Sequence, residues 1–179
     1  MLRHWEEPYY KNFENMGYKW PKHMPKIRDF FHHYRQHNIP ELIPGIREDL
    51  LDKLRKIKGL KMGIVTSSPP ITTDLTLDAL GLTDLFDLVV SEDNSLAPKP
   101  DPAYLLKAME ILGVTPEQTI YIGDLPSDLQ AAKAAGCQKI GVRWGFGKNR
   151  ELMKLEDRLA ISPRVVFDMI SREIAKKFE

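Results

Sequence analysis

Only one cysteine, Cys137, occurs in the 179 residues, so no disulfide can close within the chain. Such sparing use fits a reducing compartment, and Cys137, between a helix stop and a strand, reads as a small buried filler. An excess of one charge is lacking too: 26 Lys and Arg stand against 25 Asp and Glu, a net charge of +1. No strong field therefore pulls the chain toward nucleic acid or an anionic membrane surface. No apolar run approaches the roughly 18 residues of a membrane helix, and the polar start MLRHWEEPYY does not read as a signal peptide. Internal repeats and low-complexity segments are absent. The expectation is a cytoplasmic protein that binds neither nucleic acid nor membrane. With 42% hydrophobic and 28% charged residues, the composition is that of a globular domain with a real core.

Aromatic and imidazole side chains are unevenly spread. Nine of the aromatics and all five histidines fall within residues 1–43. Met24–His37 reads as an amphipathic helix, with Ile27, Phe30, Phe31 and Tyr34 at three- and four-residue steps. His33 and His37, with His32 adjacent, have a spacing that could pair on a metal, but no acid or cysteine joins them nearby. A solvated or ligand-facing helix surface is the better reading. Residues 1–43 are thus predicted to form a small helical segment, with the Pro40–Gly45 stretch as a linker and residues 44–179 as the main domain.

Residues 44–179 alternate strand and helix signals. Helix signals cover Arg47–Lys58, Pro69–Leu80, the run from Pro102 to Leu112, Ser127–Ala135 and the region near Asn149–Leu159. Strand signals cover Lys61–Val65, Asp87–Ser91, Thr119–Ile122, Lys139–Val142 and Val165–Phe167, the last preceding a short terminal helix. Glycines 59, 81, 113 and 136 stand where helices should stop. This alternation predicts an α/β fold with a Rossmann-like parallel sheet and helices on both faces.

The chain is organised around TIYIGDLPSDLQAAKAAG, Thr119 to Gly136. An apolar strand ends at Gly123, which lets the backbone turn, and Asp124 follows. Ser127 is an N-cap candidate, and Asp128 lies in the first turn of the helix it opens. Two acids four apart at a strand's carboxyl end suit Mg²⁺, which takes one or two carboxylates and fills its other positions with water and phosphate oxygen. The plain alternative makes Asp124 a turn residue and Asp128 a complement to the helix dipole. Two other strand ends carry polar groups: Thr66 with Ser67, and Lys99 in the run APKPDP. In one parallel sheet these ends share an edge, where a hydroxyl, an ammonium and two carboxylates could serve phosphoryl transfer. Singly, Thr66 could be only a capping residue and Lys99 only part of a rigid surface loop.

In this order, VTSS, KPDP and GDLPSD resemble the second, third and fourth motifs of the haloacid dehalogenase superfamily of phosphatases. The surrounding text from about Ile43 to about Gly147 is most similar to its phosphoglycolate phosphatase-like branch, and the helical start resembles part of that branch's cap. The resemblance implies that Thr66 binds the transferring phosphoryl group with Ser67 beside it. Lys99 would neutralise charge on nucleophile and phosphoryl group, and Asp124 would hold Mg²⁺. Asp128 would orient metal-bound water or Lys99 and adjoin the metal. A small phosphorylated metabolite is the implied substrate.

One departure cuts against activity. Members of the family attack phosphate with the first aspartate of an Asp-x-Asp-x-Thr run that ends their first strand, and no such run occurs here. Asp74-Leu-Thr-Leu-Asp78 has its acids and threonine in the wrong places, inside a helical stretch. Without that nucleophile no aspartyl-phosphate forms, and the chain is expected to be inactive alone. The missing strand would be central, between those ending at Thr66 and Asp124, leaving a slot of roughly 10 Å between them. Three outcomes follow: the sheet closes, another chain donates the strand, or the sequence is a truncated piece of a longer protein. A non-catalytic phosphate-binding or interaction protein, pairing through exposed strand edges, is the competing reading.

Overall fold

The computed structural model describes residues 45–91, 96–145, 147–155 and 158–175. The predicted helical segment 1–43, the helix 24–37 and the histidines lie outside the described residues. Within those described, two compact units occur: one holds residues 62–91, the other residues 45–61 together with the chain from 97 onward.

The first unit is built on β1 (Gly63–Val65) and β2 (Leu88–Val90), with α2 (Pro70–Ala79) between them in sequence. The strands are parallel, Ile64 opposite Val89. All three residues of β2 are buried, as a strand covered on both faces requires. Asp87 fixes the register at the strand start: its Oδ2 accepts the Met62 N–H at 2.8 Å, and its own N–H donates to the Met62 carbonyl at 2.7 Å. Threonines weaken the helical signal of α2, yet the helix holds. The Thr73 and Thr76 hydroxyls donate back to the carbonyls of Pro69 and Thr72, so they do not compete with the helix from outside.

In the second unit, a π-helical stretch Ile46–Leu51 runs into α1 (Asp52–Arg55). Then come α3 (Ala103–Leu112), a short 3₁₀ turn (Pro116–Gln118), β3 (Ile120–Gly123), α4 (Pro126–Ala134) and β4 (Gln138–Val142). They are followed by α5 (Asn149–Leu152), β5 (Leu159–Ala160) and α6 (Pro163–Ala175). The sheet order is β3-β4-β5, parallel throughout. Its centre is dry: Leu129, Ala131 and Ala132 of α4, Ile140 of β4, Leu152 of α5 and Val166 of α6 are inaccessible to water. The predicted parallel α/β architecture is therefore present. In ladders among the described residues, β1 pairs with β2 and β3 with β4.

Four expectations change. Helix α4 begins at Pro126 with Leu125 as its N-cap, so Ser127 lies inside the first turn and does not cap it. The helix expected over Asn149–Leu159 stops at Leu152, and Leu159–Ala160 instead pairs with β4. The strand expected at Val165–Phe167 lies within α6. There Pro163, Val166 and Ile170 recur at helical spacing and are buried, and packing of that stripe overrides the β preference of two valines. The stops predicted at Gly81, Gly113 and Gly136 hold, with φ between 64° and 76°, whereas the helix expected to reach Lys58 ends at Arg55, ahead of Gly59. Among the described residues no helix is long and apolar enough to cross a membrane.

Candidate active site

In the first unit, Thr66 follows β1 directly, and its N–H donates to the Val90 carbonyl at 2.9 Å, extending the ladder by one step. Its Oγ1 accepts the Ser68 N–H at 3.1 Å. The hydroxyl thus holds the Ser67–Ser68 turn in place, leaving Ser67 exposed. Thr66 and Ser67 belong to this unit, whereas Lys99, Asp124 and Asp128 belong to the second.

The second unit brings two of its predicted residues, Lys99 and Asp128, into contact. Leu125 has extended backbone, and Pro126 supplies a preset first helical residue without an N–H that would need a partner. Asp128 is then the third helical residue, and its Oδ2 reaches back to accept the Leu125 N–H at 3.0 Å. That is the acidic half of a capping box. Its other oxygen, Oδ1, accepts the Lys99 ammonium at 2.6 Å. The pair is shielded, with side-chain exposures of 11% for Lys99 and 5% for Asp128. Asp128 therefore does more than complement the helix dipole, and Lys99 is no surface-loop lysine.

Gly123 is needed for this approach, though for a different reason than a turn. A Cβ there would stand 2.4 Å from the Asp128 Cβ, and its φ is not left-handed. Asp124, half-buried, comes next in the chain. Gly145 and Gly147 lie against it: a Cβ on Gly145 would meet Asp124 Oδ2 at 2.2 Å, and one on Gly147 would meet the Asp124 carbonyl oxygen at 1.8 Å.

Tyr121 was missed altogether. Its hydroxyl accepts from Lys99 Nζ at 3.2 Å and donates to Asp128 Oδ1 at 3.3 Å. The available signal was a hydroxyl in an otherwise aliphatic strand, where it needs a partner once its ring is packed. Burial first, then the Asp128 charge and hydrogen bond, push the Tyr121 phenol far above its ordinary value. Burial likewise raises the thiol of Cys137, the predicted buried filler, whose Sγ contacts the Ala132 carbonyl at 3.4 Å.

Both shifts have a consequence for stability. A group whose folded pKa is raised contributes stability that is complete below its unfolded pKa and is lost as pH climbs above it. Cysteine and tyrosine have ordinary values of 9.0 and 10.0, so unfolding free energy should fall above pH 9 and more steeply above pH 10. Each group adds a slope of at most about 1.4 kcal/mol per pH unit. Urea titrations from pH 7 to 11 measure this, and Tyr121→Phe should flatten the steeper part. An unchanged profile in that variant would contradict the assignment.

Mg²⁺ demands few protein carboxylates. Both Asp128 oxygens accept protein hydrogen bonds. Asp124 presents a half-buried carboxylate at a strand end, which fits a cation that keeps most of its water. Among the described residues no group of three or more His, Cys, Asp or Glu could form a protein-only metal cage.

A family model described as haloacid dehalogenase-like hydrolase matches residues 2–142. The chain belongs to this haloacid dehalogenase-like family. Phosphoglycolate phosphatase of Pseudomonas putida is 38% identical over 132 residues, 74% of this chain and 46% of the relative. The structure of a predicted phosphoglycolate phosphatase from Haemophilus somnus superposes with a TM-score of 0.70 at 26% identity, covering 80% of this chain and 64% of that one. The structure of CbbY from Rhodobacter sphaeroides in complex with phosphate superposes with a TM-score of 0.65 at 26% identity, covering 79% and 63%. The chain spans about half the length of the curated relatives it matches. Within the haloacid dehalogenase-like family, the similarity is to the phosphoglycolate phosphatase branch.

Proposed function

We propose that the protein is of a Mg²⁺-dependent phosphatase lineage and that its second unit holds the charge-handling half of a phosphomonoesterase site for a small phosphorylated metabolite. The observation that carries this is the buried Lys99–Asp128 pair at 2.6 Å, placed beside the strand that delivers Asp124. A buried cation held by a carboxylate is a fixed counter-charge, able to stabilise negative charge on a phosphoryl group without reorganising. Asp124 would be the protein ligand of Mg²⁺, which when bound would neutralise phosphate oxygen and polarise the phosphorus. Asp128 sets the direction of the Lys99 ammonium. Thr66 and Ser67 are proposed donors to phosphate oxygen from the end of β1.

These 179 residues contain no Asp-x-Asp-x-Thr run, so the proposal assigns them phosphate binding and leaves covalent attack to a segment or partner chain that supplies that aspartate. The test uses the chain with Mg²⁺ and two probes, inorganic phosphate for binding and p-nitrophenyl phosphate for turnover. Phosphate should bind in a Mg²⁺-dependent way, and Asp124→Ala and Lys99→Gln should each weaken it at least about tenfold. Turnover should be absent. Phosphate binding that ignores both substitutions would refute the site, and turnover abolished by Asp124→Ala would refute the claim that the chain needs another aspartate.

A further inference from the structure

We propose that Tyr121 is a positioning residue that fixes the direction of the Lys99 ammonium toward its ligand. The proposal rests on the reading of Lys99 as a phosphate-facing cation. Lys99 Nζ, Asp128 Oδ1 and the Tyr121 hydroxyl form a closed triangle with sides of 2.6, 3.2 and 3.3 Å. A lysine held only by one carboxylate oxygen can still swing about that contact, because its stem is flexible and its head is a point charge. A second anchor removes that freedom. The ammonium carries three protons, and Asp128 and Tyr121 take two. Among the described residues no hydrogen bond to protein takes the third.

Only a neutral phenol can play this part, since it must accept from Lys99 and donate to Asp128 together. Asp128 is itself held, with Oδ2 on the Leu125 N–H, so the triangle stands on the first turn of α4. Tyr121 sits in β3 and pairs with Lys139 of β4, so its backbone is fixed by the sheet. The result is a cation whose open donor is aimed by two rigid elements, a strand and a helix start.

The experiment compares the ¹⁵N-labelled chain with Tyr121→Phe, which keeps the ring and its packing. Lys99→Gln assigns the ammonium signal. In the unsubstituted chain Lys99 should show a resolved ammonium resonance with slow proton exchange, and in Tyr121→Phe the exchange should quicken several-fold. Inorganic phosphate with Mg²⁺ should shift that resonance, and its affinity should drop about tenfold in Tyr121→Phe, as expected for one lost charge-assisted hydrogen bond. Circular dichroism and melting confirm that the variant is folded. An averaged, fast-exchanging Lys99 signal in the unsubstituted chain would overturn the proposal, as would equal exchange and equal phosphate affinity in the variant. If phosphate leaves the Lys99 resonance unmoved, the phosphate-site reading fails, while the exchange comparison still decides whether Tyr121 holds the ammonium.

Discussion

Asp128→Ala is expected to cost the fold about 3–5 kcal/mol, a large part of the stability of a domain this size. The substitution leaves the Lys99 ammonium buried without its counter-charge, beside a tyrosine that can accept only one of its protons. It also strips the Leu125 N–H of its acceptor at the start of α4. Lys99→Met should be similarly costly, because the unpaired charge is then the carboxylate. The double variant Lys99→Met/Asp128→Leu should recover most of the loss, since replacing both members of a buried pair with apolar groups is often near neutral. A contrast lies in the same unit. Lys53 and Asp49 are 3.0 Å apart with exposures of 33% and 43%, and breaking that pair should cost about 0.5 kcal/mol or less. Urea unfolding of these three variants and of Lys53→Met tests the argument. A double variant that is as unstable as the sum of the singles would show that the pair is not the cause.

Gly147→Ala is expected to disrupt the Asp124 corner by about 3 kcal/mol or more, at the upper end of what overpacking costs. The added methyl would stand 1.8 Å from the Asp124 carbonyl oxygen and 2.9 Å from its carbonyl carbon. Those are backbone atoms, held between the end of β3 and the start of α4, and they cannot rotate aside. Gly145→Ala should act differently. Its methyl would meet Asp124 Oδ2 at 2.2 Å, which can turn away, and the Asp124 Cβ at 2.2 Å, which only a shift of the backbone can clear, though from a less close approach than the 1.8 Å at Gly147. The fold should therefore survive Gly145→Ala better, at the expense of the carboxylate's direction. Melting curves should rank Gly147→Ala below Gly145→Ala, and Mg²⁺ titration should show binding lost in Gly145→Ala while it remains folded. Near-native melting of Gly147→Ala would contradict the close approach.

The Lys99–Asp128 pair was legible in outline because each residue sits in a local context that sequence displays. Asp128 follows an apolar strand and opens an alanine-rich helix, and Lys99 stands between prolines ahead of another helix. Their contact is 29 residues apart in the chain, and no periodicity encodes it. Tyr121 was hidden for a related reason: in an apolar strand an aromatic residue reads as core, and only coordinates show where its hydroxyl goes. Strand β5 is two residues long, too short for any alternation to register. Val165–Phe167 misled because a run of three β-formers says nothing about the helical stripe reaching on to Ile170.

Sequence alone determined the α/β alternation, most helix stops, and Asp124 at a strand end with Asp128 in the helix that follows, because each depends on spacing within about ten neighbouring residues. Tertiary structure decided that Asp128 serves Lys99 and the helix cap together. It also decided that Tyr121 joins them, and that glycines 123, 145 and 147 are small because other atoms occupy the space a side chain would need. Those are matters of approach between segments distant in the chain, set by how the sheet and its helices pack.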